Sequence, residues 1–215
     1  DKNNIEFDDV NLGETPVEKI HIINSGSENV TPVVMQLPNY ISATVSPETI
    51  APGRTGVATF TLNSTKLRSY GLTQSSVYLG MFPGDKVGDD KEISVSAVLL
   101  PEFRNMSETQ RRNAPVMKLS AETLDLGSFE DKDDKSGTII IENQGRSRLT
   151  ISSMQMFTTG LKMRLNKSRL DPGESAKLKI TAYRKQLKNA RSKPRVLMIT
   201  NDPNKSKVVI HVNVK

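Results

Sequence analysis

Positive charge is concentrated in the second half of the chain, where it could attract an anionic partner. Residues 162–195 contain twelve basic side chains against two acidic ones. Many of the basic residues alternate with apolar ones, so they would share the outward face of two strands. If those strands lie in one sheet, they form a basic face, which the next residues extend into a loop. The candidate anion-binding residues are Lys162, Arg164, Lys177, Lys179, Arg184 and Lys185.

Such a face would attract anions by its electric field rather than by a shaped pocket. Anionic glycan, lipopolysaccharide phosphate and acidic protein are the candidate ligands. Nucleic acid is disfavoured because Tyr183 alone interleaves with the basic residues, which leaves no stacking platform. Two alternatives remain open. The charge could simply keep the surface soluble and protect sheet edges, or the chain could self-associate head to tail, since residues 1–100 have net charge −5 and residues 101–215 have +11.

The two histidines, His21 and His211, are the residues that could serve as general base in a Ser-His-Asp triad. Each is flanked by apolar residues in an alternating run, as in Ile20-His21-Ile22. This pattern predicts solvated histidines on the outward faces of strands. No Ser or Asp accompanies either one in a loop, so no catalytic residues are expected.

Two acidic clusters could offer oxygen ligands to calcium. Calcium takes about six to eight oxygens, and neither cluster has the glycine and final glutamate of an EF-type loop. Polar hairpin loops are the simpler interpretation, and no metal site is expected. No phosphate-binding or dinucleotide-binding glycine motif occurs, so no cofactor is expected either. The clusters are Asp131, Asp133 and Asp134, and Asp85, Asp89 and Asp90.

Composition excludes several further classes of protein. The chain has 215 residues, a net charge of +6, and no Cys or Trp. Without Cys, disulfide frameworks, zinc–thiolate sites, iron–sulfur clusters and cysteine nucleophiles are impossible. No apolar run approaches the roughly 18 residues of a membrane span. No leader pattern stands at Asp1, so any export signal is expected to have been removed.

Short motifs recur in the same order in both halves of the chain, which indicates two copies of one unit. Their offsets lie between 114 and 120 residues, so each copy spans about 100 residues, a common domain size. The recurring motifs are Leu12-Gly13 and Leu126-Gly127, Asn24-Ser25-Gly26 and Asn143-Gln144-Gly145, and Pro52-Gly53 and Pro172-Gly173.

Alternation of apolar and polar residues predicts strands in both copies. Runs at 57–62 and 93–99 show it in the first copy, and runs at 177–182 and 208–214 in the second. In the run at 93–99, Ser94, Ser96 and Val98 are predicted to point outward. About seven strands fit between the turns of each copy. An all-β fold of two tandem sandwiches follows.

The repeated turn motifs predict particular backbone conformations. The Asn-x-Gly motifs are predicted to end strands with residues that tolerate positive φ. The Pro-Gly motifs suit type II turns with glycine at the third position. Residues 200–204 are predicted to form the last hairpin of the second copy, and the longer loop at 82–90 takes that place in the first.

A polar segment bounded by Pro101 and Pro115 separates the copies. Ser107 and Gln110 have the spacing of a capping box, which predicts a short helix ending before Asn113. The predicted organisation is therefore a sandwich at 1–100, a linker at 101–116 and a second sandwich at 117–215.

Several stretches carry a resemblance to a known family: the Leu-Gly openings, the Asn-x-Gly turns, Ser46–Gly53 and the linker end Arg112–Pro115. Together they resemble the exported tandem immunoglobulin-like repeats of Bacteroides-group bacteria, whose domain is known as a domain of unknown function, number fifteen-seventy-three. The resemblance implies an envelope-facing string of sandwiches without known catalysis. Relatives often carry Cys-Gly-Cys in a strand where this chain reads Met154–Gly160, so no redox or metal role is carried over.

These observations predict a non-enzymatic exported module that acts as a spacer, an adhesion module or an assembly scaffold. The resemblance places it in the periplasm, at the outer membrane or outside the cell. An envelope or extracellular protein or glycan is the expected partner, and the chain is expected to be a monomer or weakly self-associated. The alternative is recognition of an anionic glycan or other polyanion by the second copy. A hydrolase would need two facing carboxylates in a cleft, and the sequence places no such pair.

Overall fold

A computed structural model describes residues 3–190 and 193–215. The chain forms two compact units, Asp1–Leu100 and Pro101–Lys215. The predicted all-β fold is confirmed, since strands dominate both units. Arg191, which belongs to the basic stretch, lies outside the described residues. Neither α-helix in the described ranges has the length and apolar character needed to cross a membrane.

The first unit packs a four-stranded sheet, in the order β1-β7-β6-β3, and a three-stranded sheet, in the order β2-β5-β4. β1 and β7 run parallel, and the other neighbours are antiparallel. Short 3-10 helices occupy Ser64–Lys66 and Asp89–Lys91. The strands are β1 (Asn4–Val10), β2 (Val17–Ile23), β3 (Val33–Met35), β4 (Ile41–Ser46), β5 (Thr55–Leu62), β6 (Gly71–Gly80) and β7 (Glu92–Leu99).

The predicted alternation holds in β5 of the first unit, where Ala58, Phe60 and Leu62 point into the core and are fully buried. In β7 the inward residues are buried as predicted, but Ser96 and Val98 on the outward face are buried as well. β7 lies between β1 and β6, and Val98 is paired across the sheet with the buried Leu72. A central strand with an apolar residue on its outer face does not follow strict alternation.

The second unit packs sheets in the orders β12-β14-β10-β8 and β13-β11-β15-β16-β9. Its nine strands in the described residues exceed the predicted seven, because β8 and β13 are too short to show alternation. The strands are β8 (Met117–Leu119), β9 (Thr123–Gly127), β10 (Asp134–Asn143), β11 (Leu149–Met156), β12 (Leu161–Leu165), β13 (Arg169–Leu170), β14 (Ser175–Tyr183), β15 (Arg195–Thr200) and β16 (Lys207–Val214).

Two short helices belong to the second unit, α1 (Glu108–Arg112) and α2 (Arg184–Leu187). The capping box forms, since Gln110 N–H donates to Ser107 Oγ at 3.2 Å and Ser107 N–H donates to Gln110 Oε1 at 2.8 Å. Beyond α1 the chain reaches the second sandwich. Val116 O accepts from Gln144 N–H at 2.8 Å, so the end of the linker is bonded to the Asn-x-Gly turn.

The Pro-Gly turns have the predicted geometry. Gly53 and Gly173 have φ of 70° and 83°, and the turns close with Arg54 N–H to Ala51 O and Glu174 N–H to Asp171 O, each at 3.0 Å. Positive φ at the third position is what a type II turn requires of glycine.

The Asn-x-Gly motifs end strands as predicted, β2 at Ile23 and β10 at Asn143, but no residue of either motif has positive φ. Their asparagines act through the side chain instead. Asn143 is fully buried, and its Nδ2 donates to Ser147 O at 2.8 Å and Leu170 O at 2.9 Å. Asn143 Oδ1 accepts from Gly145 N–H at 3.0 Å. The side-chain amide of Asn143 therefore provides hydrogen-bond partners for backbone groups of the turn and of the segment before the Pro-Gly turn.

Asn24 makes the three corresponding contacts in the first unit, whereas Asn143 Oδ1 also accepts from Val116 N–H at 3.4 Å. Asn24 Nδ2 donates to Glu28 O at 2.7 Å and Ile50 O at 2.9 Å, and its Oδ1 accepts from Gly26 N–H at 3.0 Å. A buried asparagine thus fastens the end of one strand to the segment before the Pro-Gly turn in each copy. This shared network explains why the motif occurs twice.

Candidate functional site

The strands that carry the candidate basic residues lie side by side in one sheet. β12 and β14 are antiparallel neighbours, with Lys162 opposite Thr181 and Arg164 opposite Lys179. Side chains of paired residues in antiparallel strands lie close together on one face. The four residues of these strands are all exposed, and we call them the basic face: Lys162, Arg164, Lys177 and Lys179.

The inner side of the same strands anchors the basic face to the core. Leu178 and Ile180 of β14 are fully buried, and Leu161 at the start of β12 is 4% exposed. Alternation along a strand directs the intervening lysines to the opposite side. The packed sandwich therefore fixes the Cα atoms of the basic residues. Their long side chains remain free to adjust to a ligand.

The two acidic residues of the basic stretch are already paired with other cations. Arg148 Nε lies 2.7 Å from Asp171 Oδ1, and Lys167 Nζ lies 2.6 Å from Glu174 Oε2. The hydrogen bond from Arg148 lowers the pKa of Asp171, and the hydrogen bond from Lys167 lowers the pKa of Glu174. In the described part of the chain, no ion pair involves the basic face, so its charge is available to an external anion.

Neighbouring strands continue the face with neutral and mixed side chains. Thr181 of β14 and Ser136 of β10 are joined through their hydroxyls at 2.8 Å. At the far side of the sheet, Lys118 of β8 lies opposite Glu142. Lys118 could not be predicted from the sequence as part of this face, because its strand has three residues and lies next to the predicted linker.

Arg184 and Lys185 do not extend the basic face into a loop as predicted. They begin the helical turn α2. The Arg184 guanidinium donates through Nη1 to Glu130 O at 2.8 Å, and its backbone N–H donates to Asp133 O at 2.9 Å. These bonds direct Arg184 towards the loop before β10, and both Arg184 and Lys185 are exposed.

Arg184 helps to line a cavity of about 830 Å³ in the second unit. The lining combines apolar and charged side chains, which suits binding of an amphipathic group. Ser128 contributes a hydroxyl, but that oxygen accepts a hydrogen bond from Glu130 N–H at 3.3 Å. The principal lining residues are Phe129, Glu130, Arg184, Leu187, Lys188, Lys193, Pro194 and Val214.

The histidines occupy the strand positions predicted for them. His21 lies in β2 opposite Val57, and His211 lies in β16 opposite Arg195 and Thr123. Both are exposed. Their strand neighbours provide no nucleophile and carboxylate in the arrangement that a triad requires.

The acidic clusters form parts of loops. Asp85 accepts from Lys91 Nζ at 2.8 Å and from the backbone amides of Met81 and Lys86. The hydrogen bond from Lys91, together with those two amides, lowers the pKa of Asp85 to about 2. Residues 3–190 and 193–215 contain no group of three His, Cys, Asp or Glu side chains that could hold a metal ion.

Comparison with known proteins agrees with this architecture. Residues 115–215 match the family described as HYDIN/CFA65/VesB-like, Ig-like domain, so the second unit is similar to an immunoglobulin-like domain. A crystal structure of a protein of unknown function from Porphyromonas gingivalis W83 is 19% identical, with a TM-score of 0.75 over 100% of this chain and 97% of that chain. This similarity shows the fold of both units.

Two further solved structures are more distant. The VesB protease of Vibrio cholerae is 11% identical, with a TM-score of 0.36 over 87% of this chain and 63% of that chain. The E. coli chaperone DraB is 10% identical, with a TM-score of 0.32 over 100% of this chain and 94% of that chain. No curated protein matches the sequence.

Proposed function

We propose that this chain is a non-enzymatic structural and interaction module of an exported, envelope-facing protein. Its two immunoglobulin-like sandwiches support a role as a spacer, an adhesion module or an assembly scaffold. The resemblance to exported tandem repeats supports a location in the periplasm, at the outer membrane or outside the cell. The basic face is the observation that carries a binding role for the second unit.

Anionic polysaccharide is the ligand that this face suits best. Four cations project from two adjacent strands, and none of them has an ion pair among the described residues. A flat array of flexible cations favours a repeating polyanion over a single small ligand, because several weak contacts add along the polymer. Phosphate groups of lipopolysaccharide would be recognised by the same charges.

Charge reversal of the basic face tests this proposal, with heparin as the probe. The variant carries Lys162→Glu, Arg164→Glu, Lys177→Glu and Lys179→Glu. We expect its affinity for heparin at low salt to fall about tenfold or more, and the dependence of affinity on salt to become shallower, because fewer counterions are released. Titration calorimetry at several salt concentrations measures both quantities.

A control variant separates a local face from the overall charge of the protein. It reverses four exposed cations of the first unit and so changes the net charge equally: Lys19→Glu, Arg54→Glu, Lys66→Glu and Arg68→Glu. We expect this control to retain most of the heparin affinity. Equal losses in the two variants, or single-stranded DNA bound as tightly as heparin by the unmodified protein, would contradict recognition of a polysaccharide by the basic face.

A further inference from the structure

The two units differ at one edge of corresponding sheets. Asn24 follows β2 and Asn143 ends β10, and the Pro-Gly turns precede β5 and β14, so β2-β5-β4 corresponds to β10-β14-β12. In the second unit β8 adds a fourth strand beside β10. Among residues 3–100 no strand takes that place, and β2 is left at the edge of its sheet.

β8 shows what such a strand contributes. It runs antiparallel to β10, with Leu119 opposite Ile141 and Met117 opposite Asn143. Met117 is 2% exposed and belongs to the core of the second unit, and Leu119 packs against that core. Backbone bonds flank the pairing, from Gln144 N–H to Val116 O at 2.8 Å and from Ser120 N–H to Ile140 O at 2.9 Å.

The matching backbone groups of the first unit have no partner strand among residues 3–100. Asn24 N–H donates to Arg54 O, so the backbone of Asn24 faces β5. Backbone groups alternate sides along a strand, so those of His21, Ile23 and Ser25 face away from β5. No hydrogen bond within the described chain uses the Ser25 N–H, which corresponds to that of Gln144. The side chain of Ile23 is 61% exposed.

The glycines of the two Asn-x-Gly turns give a second indication. A Cβ on Gly145 would lie 2.5 Å from Ala114 O and 2.6 Å from Pro115 C, because the chain that leads into β8 passes directly over this glycine. On Gly26, the nearest atom to an added Cβ would be Asn24 Oδ1 at 3.3 Å. The first unit therefore has the glycine that admits a crossing chain but no crossing chain within residues 3–100.

We propose that the free edge of β2 binds an extended peptide segment from outside the described chain, in the manner in which β8 pairs with β10. The segment runs antiparallel to β2 and has the pattern of residues 114–119. Apolar side chains lie opposite Asn24 and Ile22 and enter the sandwich, and a polar residue lies opposite Ile23. Main-chain bonds supply affinity, and the two apolar side chains supply specificity.

A second copy of the chain is a poorer occupant than such a peptide. If two β2 strands paired edge to edge, Ile20 and Ile22 of each copy would remain buried in their own sandwich. The partner strand would then offer no free apolar side chain at the position that corresponds to Met117 of the second unit. A peptide whose apolar side chains are not already buried can supply one, and for this reason the occupant is a peptide.

The test uses the full-length chain and a fluorescent synthetic peptide with the sequence of residues 113–120. We expect saturable binding, with amide NMR shifts centred on His21, Ile23, Ser25 and Gly26. A control peptide has proline in place of Lys118, which removes the N–H at the centre of the pairing. We expect it to bind at least about tenfold more weakly, since an added strand depends on its main-chain bonds.

Two chain variants locate the binding edge. Ile23→Pro removes an amide that faces away from β5, and Val17→Pro makes the same kind of change at the other end of β2, beyond the expected contact. Binding should be lost in the first and retained in the second. The proposal is overturned by absence of saturable binding, by shifts centred on the second unit, by equal binding of both peptides, or by a β2-mediated dimer that the peptide does not dissociate.

Discussion

Asn143→Ala is expected to destabilise the second unit by about 3 kcal/mol or more. The substitution leaves Gly145 N–H, Ser147 O and Leu170 O without their side-chain partner. Each buried polar group that loses its partner costs about 1–3 kcal/mol. Urea unfolding followed by amide NMR signals from β10 and β14 measures the loss, which is a large part of the roughly 5–15 kcal/mol of a typical domain.

The first unit provides a matched control for this prediction. Its signals in Asn143→Ala should unfold at the same urea concentration as in the unmodified chain. Asn24→Ala should produce the reverse pattern, because Asn24 makes three corresponding contacts in the first unit. If either substitution lowered the stability of both units equally, the two networks would not be independent.

Asp202→Ala is expected to detach β8 from the second unit, at a cost of about 3 kcal/mol. Asp202 is buried in the hairpin between β15 and β16. Its carboxylate accepts from Met117 N–H at 2.8 Å and from Asn204 N–H at 2.9 Å. Hydrogen bonds to a charged group contribute about 1.5–3 kcal/mol each. Hydrogen exchange at Met117 and Leu119 should accelerate more than exchange in β14.

Asp202→Asn distinguishes loss of acceptors from loss of volume. An asparagine keeps one acceptor oxygen and nearly the same shape, so it can retain one of the two bonds. We expect its stability to lie between those of the unmodified chain and Asp202→Ala. If Asp202→Ala left the exchange rates of β8 unchanged, the buried carboxylate would not be what holds this strand.

The faces of the long strands could be predicted from the sequence because one physical rule decides them. Side chains alternate sides along a strand, and only one side of each of these sheets meets a core. The rule correctly buries Leu178 and Ile180 in β14, and Val208 and Ile210 in β16. It also places Lys177 and Lys179 on the outward side, where the structure has them.

Features that depend on contacts distant in sequence could not be predicted in this way. An asparagine before glycine can adopt positive φ or use its side chain to bond the backbone, and both choices give the same local pattern. Only the partners from residues 50 and 170 reveal that the second applies here. Likewise, the bond from Arg184 to Glu130 O spans 54 positions, so its direction could not be derived from neighbouring residues.

The central claim is that each unit is held by its own core, and it is tested most directly by producing residues 1–100 and 101–215 separately. Each half should give dispersed amide NMR signals that coincide with those of the same residues in the full chain, apart from residues next to position 100. Poorly dispersed amide signals, as from an unfolded chain, in either half alone would contradict the claim, because they would show that the core of that half depends on the other unit.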